Sequence, residues 1–263
     1  METILAFINW DPDPVAFNLL GRGVRWYGIL LATGFLLGYL IMGRVLVKEG
    51  FKQQKVDIFA IYVIIGVVVG LRLGHCLFYN PGYYLSNPIE ILKVWEGGLA
   101  SHGGAAGILI AVWLFCRKNK IPYLHMLDRV VLIVPLAGGM VRLGNLVNSE
   151  IIGMPTNVNW AFIFEHIDMI PRHPTQLYEA IFYFIMFISF YFIFMRMRKK
   201  WKDGVFLGWF LIVLFAFRFF IEFTKEFQVE FEEYASSIKM GQWLSIPFIL
   251  LGIWLVWRGR TFR

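Results

Sequence analysis

The chain has 263 residues and a formal net charge of +7, and 58% of its residues are hydrophobic while only 16% are charged. This composition and a mean hydropathy of +0.62 exclude an ordinary soluble domain, because soluble proteins carry about 25% charged residues. The two cysteines, Cys76 and Cys116, are too few for a disulfide framework or a zinc site. We predict an all-α membrane protein with a single embedded domain over residues 1–263.

Seven apolar segments follow one another along the chain, and each is long enough to span or nearly span a bilayer. The acidic start, residues 1–13, does not match a secretory signal peptide, which needs a basic start. Pro135 and the pair Gly138-Gly139 interrupt the fourth segment, which predicts a kink or a break there. We predict a bundle of seven transmembrane helices over residues 27–45, 57–79, 99–116, 127–148, 176–195, 205–223 and 243–257.

Lysine and arginine are concentrated in every second connection between these helices, as in residues 196–202 after helix five. The positive-inside rule then places the N-terminus outside and the C-terminus in the cytoplasm. The same pattern explains the positive charge without a nucleic-acid partner. It also leaves residues 80–96, 150–175 and 225–242 as outside loops.

Three arginines, Arg72, Arg142 and Arg218, lie inside these apolar segments. A charge in the bilayer costs at least about 2.5 kcal/mol, so such a residue usually faces the protein interior and serves a function. All three lie near the outer ends of their helices, about 8–10 Å below the interface at 1.5 Å per residue. The outer beginnings of helices one, three and five add Tyr27, His102 and Gln176.

The polar set is confined to the outer third of the predicted bundle, and this decides between classes of function. A channel or a proton-coupled carrier needs a polar path to both faces or a site at the midplane, and the sequence shows neither. Arginine binds phosphate through two parallel hydrogen bonds, so the set suits a phospholipid headgroup. A lipid transporter or flippase and a non-catalytic membrane scaffold are the alternatives.

Each arginine also has a purely structural interpretation. Arg142 lies in a glycine-rich stretch with Asn145 and Asn148 near its face, and it could simply pair with Glu150. Arg218 could form an ion pair with Glu222, which lies four residues later on the same helix face. Arg72 could extend its side chain to the membrane interface. We interpret all three as ligand-binding residues because the polar cluster is dense.

His102 is the candidate general base. It lies among four glycines in the segment 97–104, which leaves space for a substrate. Imidazole titrates near neutral pH and can take a proton from a thiol or a hydroxyl. The structural alternative is an interfacial histidine that is simply hydrogen-bonded.

Seven segments together resemble the bacterial phosphatidylglycerol–prolipoprotein diacylglyceryl transferases. The segment Arg142-Leu-Gly-Asn-Leu-Val-Asn-Ser-Glu-Ile-Ile-Gly153 resembles the family signature. Val141 and Leu146 depart from it, since the family usually has Gly and Phe there. The family often has a tyrosine one turn before Arg218, where this chain has Leu214 or Phe215. The other matching segments, in order over nearly the whole chain, are 25–28, 70–74, 97–104, 173–179, 218–222 and 241–247.

The resemblance implies transfer of a diacylglyceryl group from phosphatidylglycerol to the lipobox cysteine thiol in the signal peptide of a prolipoprotein. A thioether forms and glycerol-1-phosphate leaves, with no metal or organic cofactor. It also implies a multi-pass protein of the bacterial cytoplasmic (inner) membrane, with its active site toward the outer leaflet. Membrane lipid and the prolipoprotein are the expected partners, and nucleic acid is not.

The expected roles follow from this chemistry. His102 would take the thiol proton, while Arg142 and Arg218 would hold the phosphate and stabilise the charge that it gains. Glu150 and Glu222 would hold these arginines in place. The predicted substrate-binding residues are Tyr27, Arg72, Asn145, Asn148, Glu150, Gly153, Gln176 and Glu222.

Overall fold

The computed structural model describes residues 7–19, 21–94, 97–98, 100–226 and 239–260 of the chain. Leu99 of the predicted third helix and most of the predicted 225–242 loop lie outside the described residues. As predicted, most of the described residues are α-helical. The helices are α1 Trp26–Lys48, α2 Gln53–Phe78, α3 Pro81–Ser86, α4 Pro88–Ile91, α5 Ser101–Asn119, α6 Tyr123–Val147, α7 Thr175–Met197, α8 Val205–Ile221 and α9 Met240–Arg260.

Six of these helices, α1, α2, α6, α7, α8 and α9, are long and apolar enough to cross a membrane. The remaining predicted span forms as α5, but α5 is the least hydrophobic of the long helices and carries Arg117 and Lys118 in its last turn. The count of seven spans and the orientation of the termini stay predictions.

The predicted break at Pro135 does not occur, because α6 continues through this residue from Tyr123 to Val147. Neighbouring groups can satisfy the backbone carbonyl that a proline leaves free in a membrane helix. The prediction of a break is therefore wrong, and a kink at Pro135 stays a prediction.

The chain packs as two compact units, one made of Met1–Gly38 with Val130–Arg263 and the other of Tyr39–Arg129. The single embedded domain stays a prediction. In the unit Tyr39–Arg129, α2 packs closely on α5 through glycine. A Cβ on Gly74 would lie 2.7 Å from the Cα of Gly103, so only glycine fits at this contact. Small residues of this kind allow membrane helices to pack backbone to backbone.

In the other unit, short strands lie outside the long helices, and the sequence analysis did not predict them. β1 Ile8–Trp10 pairs in parallel with β4 Phe162–Phe164, and β4 pairs antiparallel with β5 Pro171–Arg172. β2 Val15–Leu19 and β3 Arg22–Arg25 form a hairpin just before α1.

The three-stranded sheet holds the end of α6 in place. Trp10 and Phe164 pack with Leu146 in one hydrophobic cluster, and the indole N–H of Trp10 donates to the Leu146 carbonyl at 2.8 Å. The predicted outside loop at 150–175 therefore folds against the turn of α6 that follows Arg142.

Candidate active site

The site in the unit of Met1–Gly38 with Val130–Arg263 begins where α6 and α7 pack together. Gly138 and Gly139 make this contact possible, because their missing side chains leave room for two aromatic rings of α7. A Cβ on Gly138 would lie 3.1 Å from the ring of Tyr183, and one on Gly139 would lie 2.7 Å from the ring of Phe184. The close packing brings Arg142, one turn further along α6, within reach of α7.

Arg142 forms a buried ion pair with α7. Its Nε lies 3.0 Å from Oε2 of Glu179, and Glu179 is completely buried. A buried carboxylate keeps its charge only with close partners, so this pair fixes the guanidinium. The structural partner that the sequence suggested for Arg142 was Glu150, and that pairing was wrong: the packing of α6 on α7 supplies Glu179 instead.

Glu150 reaches Arg142 through Asn145. Arg142 donates from Nη1 to Oδ1 of Asn145 at 3.2 Å, and Asn145 donates from Nδ2 to Oε2 of Glu150 at 2.9 Å. Asn148 donates to the other carboxylate oxygen of Glu150 at 3.1 Å, while its own Oδ1 is buried without a hydrogen bond to any described residue. The two asparagines and Glu150 thus form one hydrogen-bonded chain that ends on Arg142.

The backbone around Glu150 is strained. Ser149 and Ile151 have φ values of 54° and 57°, in the left-handed region that a β-branched residue rarely adopts. The beginning of α7 holds this turn: Gln176 donates to the Glu150 carbonyl at 2.6 Å, and Thr175 donates to the Ile151 carbonyl at 3.1 Å. Oε1 of the fully buried Gln176 has no hydrogen-bond partner among the described residues.

Gly153 is held where no side chain fits. Its N–H donates to the His173 carbonyl at 3.1 Å, and Arg172 donates to the Gly153 carbonyl at 3.3 Å. A Cβ on Gly153 would lie 2.7 Å from Cβ of His173. Burial lowers the pKa of His173 below its ordinary value. Gly153 therefore shapes the site through its backbone.

A pair of acidic residues secures Arg172 in turn. Arg172 donates to Oδ2 of Asp168 at 2.6 Å and to Oε1 of Glu226 at 3.0 Å. These hydrogen bonds hold the pKa of Asp168 below its usual range and raise the pKa of Arg172. A carboxylate with a depressed pKa stabilises the fold above its unfolded pKa, and this contribution is lost as the pH falls through the folded pKa.

Lys225 lies between two carboxylates and is only 2% exposed. Its Nζ is 3.1 Å from Oε1 of Glu179 and 3.6 Å from Oε2 of Glu222. Lys239, at the beginning of α9, donates to the carbonyls of Glu222 and Lys225. The sequence suggested that Glu222 pairs with Arg218, and this was wrong: the 3₁₀ turn Glu222–Thr224 ends α8 and brings Lys225 to Glu222 instead.

Arg218 is half-buried on α8 and has no ion pair or hydrogen bond to any residue that the structure describes. Its charge acts on Tyr183 of α7, which is 5% exposed and also interacts with Arg142. Both arginines therefore lie within electrostatic range of the same phenol group. One guanidinium is held by a carboxylate and the other is unpaired among the described residues, an arrangement that suits an anionic ligand.

Tyr27 joins this network from the first turn of α1. Its ring packs on Gly144, where a Cβ would lie 2.6 Å from ring atom Cδ2. The phenol is close enough to Glu150 and Arg142 to interact with both electrostatically. Gly144 is thus the position on α6 that admits Tyr27.

The unit Tyr39–Arg129 carries the other two predicted residues. Arg72 is 4% exposed and donates to four backbone carbonyls, those of Glu90, Ile91, Gly97 and Gly98. Its guanidinium also lies 5.1 Å from the ring centre of Tyr84. These contacts support a bracing role, and a ligand-binding role for Arg72 stays a prediction.

His102 is exposed in the first turn of α5. Its ring contacts those of Phe78 and Tyr79, with centroid distances of 5.1 and 6.0 Å. No hydrogen bond joins the imidazole to another part of the described chain. Both ring nitrogens are therefore without a hydrogen-bond partner among the described residues.

Nine of the eleven predicted site residues lie in the unit of Met1–Gly38 with Val130–Arg263. Arg72 and His102 lie in the unit Tyr39–Arg129. Sequence reasoning missed Glu179, Tyr183 and Lys225. Glu179 is the last residue of the segment 173–179 that the sequence singled out, and Lys225 follows the segment 218–222 by three residues. The residues that the structure describes contain no group of three His, Cys, Asp or Glu placed to hold a metal ion.

Comparison with known proteins gives one consistent result. The family model "Prolipoprotein diacylglyceryl transferase" matches residues 14–258. The chain is 45% identical over 268 residues to the phosphatidylglycerol–prolipoprotein diacylglyceryl transferase of Bacteroides fragilis, covering 97% of this chain and 96% of the relative. The protein of that name from Tolumonas auensis is 48% identical over 248 residues, with 94% and 95% covered. The one from Chloroherpeton thalassium is 44% identical over 254 residues, with 96% and 94% covered.

Proposed function

The chain belongs to the prolipoprotein diacylglyceryl transferase family, and from this premise we propose how its buried charges perform the reaction. The resemblance that the sequence segments indicated is thereby confirmed. The protein is a membrane transferase that moves the diacylglyceryl group of phosphatidylglycerol to a prolipoprotein. The finer assignments that follow are proposals: the acceptor atom, the leaving group and the residues that act.

Arg142 and Arg218 bind the phosphate of phosphatidylglycerol. The observation that carries this proposal is the unpaired guanidinium of Arg218, which shares Tyr183 with the ion-paired Arg142. A phosphodiester brings one negative charge, and the planar guanidinium matches the geometry of its oxygens. Arg142 is already fixed by Glu179, so it offers a positioned donor rather than a mobile one.

The acceptor is the thiol of the lipobox cysteine in the signal peptide. The sulfur forms a bond to the terminal glycerol carbon of the diacylglyceryl group, and the bond from that carbon to the phosphate oxygen breaks. The oxygen keeps the electron pair, so glycerol-1-phosphate leaves with an added negative charge. Positioned cations stabilise charge that develops in a transition state, which is the role of the two arginines here.

His102 takes the thiol proton. A thiol is mostly protonated at neutral pH, and the thiolate is the nucleophile, so a base speeds the attack. The exposure of His102 and its lack of a hydrogen bond within the described chain support this role. No metal or organic cofactor is required, because the phosphate is already an adequate leaving group.

The buried amides suit the glycerol end of the lipid headgroup. Oδ1 of Asn148 and Oε1 of Gln176 are acceptors without a partner among the described residues. A buried polar atom of this kind is costly unless a ligand or water satisfies it. We assign the headgroup hydroxyls to these two acceptors, while Tyr27, Asn145 and Gly153 fix the surrounding shape.

The positive-inside pattern supports a bacterial cytoplasmic (inner) membrane protein with its active site toward the outer leaflet. The test of the reaction uses purified protein in lipid nanodiscs with phosphatidylglycerol and a synthetic lipobox peptide. Mass spectrometry should show a peptide heavier by one diacylglyceryl group, together with glycerol-1-phosphate in equal amount. Product from a peptide whose cysteine is replaced by serine, or release of phosphatidic acid instead, would contradict the proposal.

A further inference from the structure

Lys225 is a buried cation whose role the reaction leaves unassigned. It is 2% exposed and contacts two carboxylates, Glu179 at 3.1 Å and Glu222 at 3.6 Å. Its backbone N–H also donates to the Glu222 carbonyl at 3.3 Å, which keeps the two residues together. Burying a lysine is costly unless its charge is compensated, so both carboxylates are needed to keep it there.

Arg218 and Glu222 are four residues apart, and this spacing ordinarily favours an ion pair on a helix. The structure shows no such pair: the Glu222 carboxylate lies against Lys225, and Arg218 has no ion-pair partner among the residues that the structure describes. Gly241 of α9 packs directly on the Glu222 carboxylate, since a Cβ at Gly241 would lie 2.7 Å from the carboxylate carbon. The Glu222 carboxylate is therefore held between Lys225 and α9.

We infer that Lys225 is a positioning residue that keeps Glu222 away from Arg218, so that the Arg218 guanidinium stays available for the lipid phosphate. The inference rests on the proposed role of Arg218 in phosphate binding. Glu179 and Glu222 have Arg142 and Lys225 as ion-pair partners, whereas Arg218 has no carboxylate partner among the described residues and can take the phosphodiester. Without Lys225, Glu222 would compete with the phosphate for Arg218.

The same lysine acts on Arg142 through Glu179. The two oxygens of this buried carboxylate are divided, with Oε1 on Lys225 and Oε2 on Arg142. Because Lys225 takes Oε1, Arg142 contacts Glu179 only through its Nε and Oε2 of the carboxylate. Lys225 thus helps to position Arg142 and keeps Arg218 available, without contacting the substrate itself.

The test compares Lys225→Met with the double variant Lys225→Met/Glu222→Gln. We expect Lys225→Met to raise the apparent KM for phosphatidylglycerol at least tenfold with a smaller change in kcat, because the freed carboxylate competes with the lipid for Arg218. The double variant removes the competitor and should recover most of that loss. Glu179 loses Lys225 in both variants but keeps its ion pair with Arg142, so this loss is common to both and the comparison isolates the effect of Glu222.

Lys200→Met is the matched control, since it removes the same charge at an exposed position after α7. It should leave both kinetic constants near those of the wild type. An unchanged KM in Lys225→Met would overturn the inference, and so would a double variant as impaired as the single one, since a purely structural lysine predicts no recovery. Failure of the proposed function itself would look different, because wild-type protein would then form no thioether product.

Discussion

Arg142 and Arg218 carry the same charge, but different surroundings give them different tasks. The ion pair with the fully buried Glu179 fixes Arg142, whereas Arg218 has no ion-pair partner among the described residues and shares only Tyr183 with Arg142. A paired guanidinium is a rigid donor, and an unpaired one gains a partner only when an anion binds. The combination favours binding of a phosphate over structural bracing.

A substitution of His102 tests its proposed role as the general base. Glutamine resembles histidine in size but cannot take a proton at neutral pH, so His102→Gln should lower kcat about 100-fold or more. Phosphatidylglycerol binding should be retained, because the phosphate contacts assigned here belong to arginines. The rate can be followed with the lipobox peptide, and lipid retention by native mass spectrometry.

His166→Gln provides the control for that experiment, since His166 is exposed and pairs only with Asp11 and Pro12 in the described chain. It should keep a near-normal rate. A near-normal rate in His102→Gln would show instead that water or another group receives the thiol proton.

The sequence singled out the arginines because an arginine inside an apolar segment is costly. It could not identify their partners. Glu150 and Glu222 are close to Arg142 and Arg218 along the chain, whereas Glu179 comes from another helix. Only the close packing of α6 on α7, which glycines permit, selects Glu179.

At the scale of elements, hydropathy predicted the long helices well, because each must cover its polar backbone with apolar side chains over the width of a membrane. The strands were not predicted, since β1, β4 and β5 have two or three residues each and show no alternating pattern. Pairing between distant segments creates them. They hold the end of α6, and with it the loop that carries Glu150.

Helix packing gives a prediction at Gly144, the residue of α6 on which Tyr27 of α1 rests. A Cβ there would lie 2.6 Å from the tyrosine ring, so Gly144→Ala should displace Tyr27 from Arg142 and Glu150. We expect kcat/KM for phosphatidylglycerol to fall roughly tenfold, as small displacements at a reaction site commonly cost that much or more.

Gly43→Ala is the matched helical control, because its Cβ would meet only Val56, at an ordinary distance of 3.6 Å. That variant should behave like the wild type. If Gly144→Ala were no more impaired than Gly43→Ala, Tyr27 would have no part in positioning the headgroup.

For the whole molecule, the six apolar helices and the alternation of basic connections describe a multi-pass membrane enzyme. The family match over residues 14–258 shows that the similarity to the family extends over nearly the entire chain. The orientation of the chain, with its N-terminus outside, rests on the charge pattern alone and is therefore the prediction to test for the whole molecule.

Single-cysteine labelling can test this orientation, because Cys76 and Cys116 are both buried. In intact spheroplasts a membrane-impermeant maleimide should label an Asn157→Cys variant in the outside loop but not a Lys199→Cys variant after α7. Both positions are exposed, so access to the reagent decides the result. Labelling of the Lys199→Cys variant but not of the Asn157→Cys variant would show that the chain has the opposite orientation.

The most direct test of the account is the rate of diacylglyceryl transfer by Arg218→Ala. Loss of one positioned hydrogen-bond donor to a developing negative charge costs about 2.7–4 kcal/mol, so kcat/KM should fall by about 100-fold or more. Arg218→Lys should be intermediate, since it keeps the charge but loses the planar fork. Arg196→Ala, at an exposed position on α7, should transfer at the wild-type rate. Transfer by Arg218→Ala at a rate near that of Arg196→Ala would contradict the claim that the unpaired guanidinium binds the lipid phosphate.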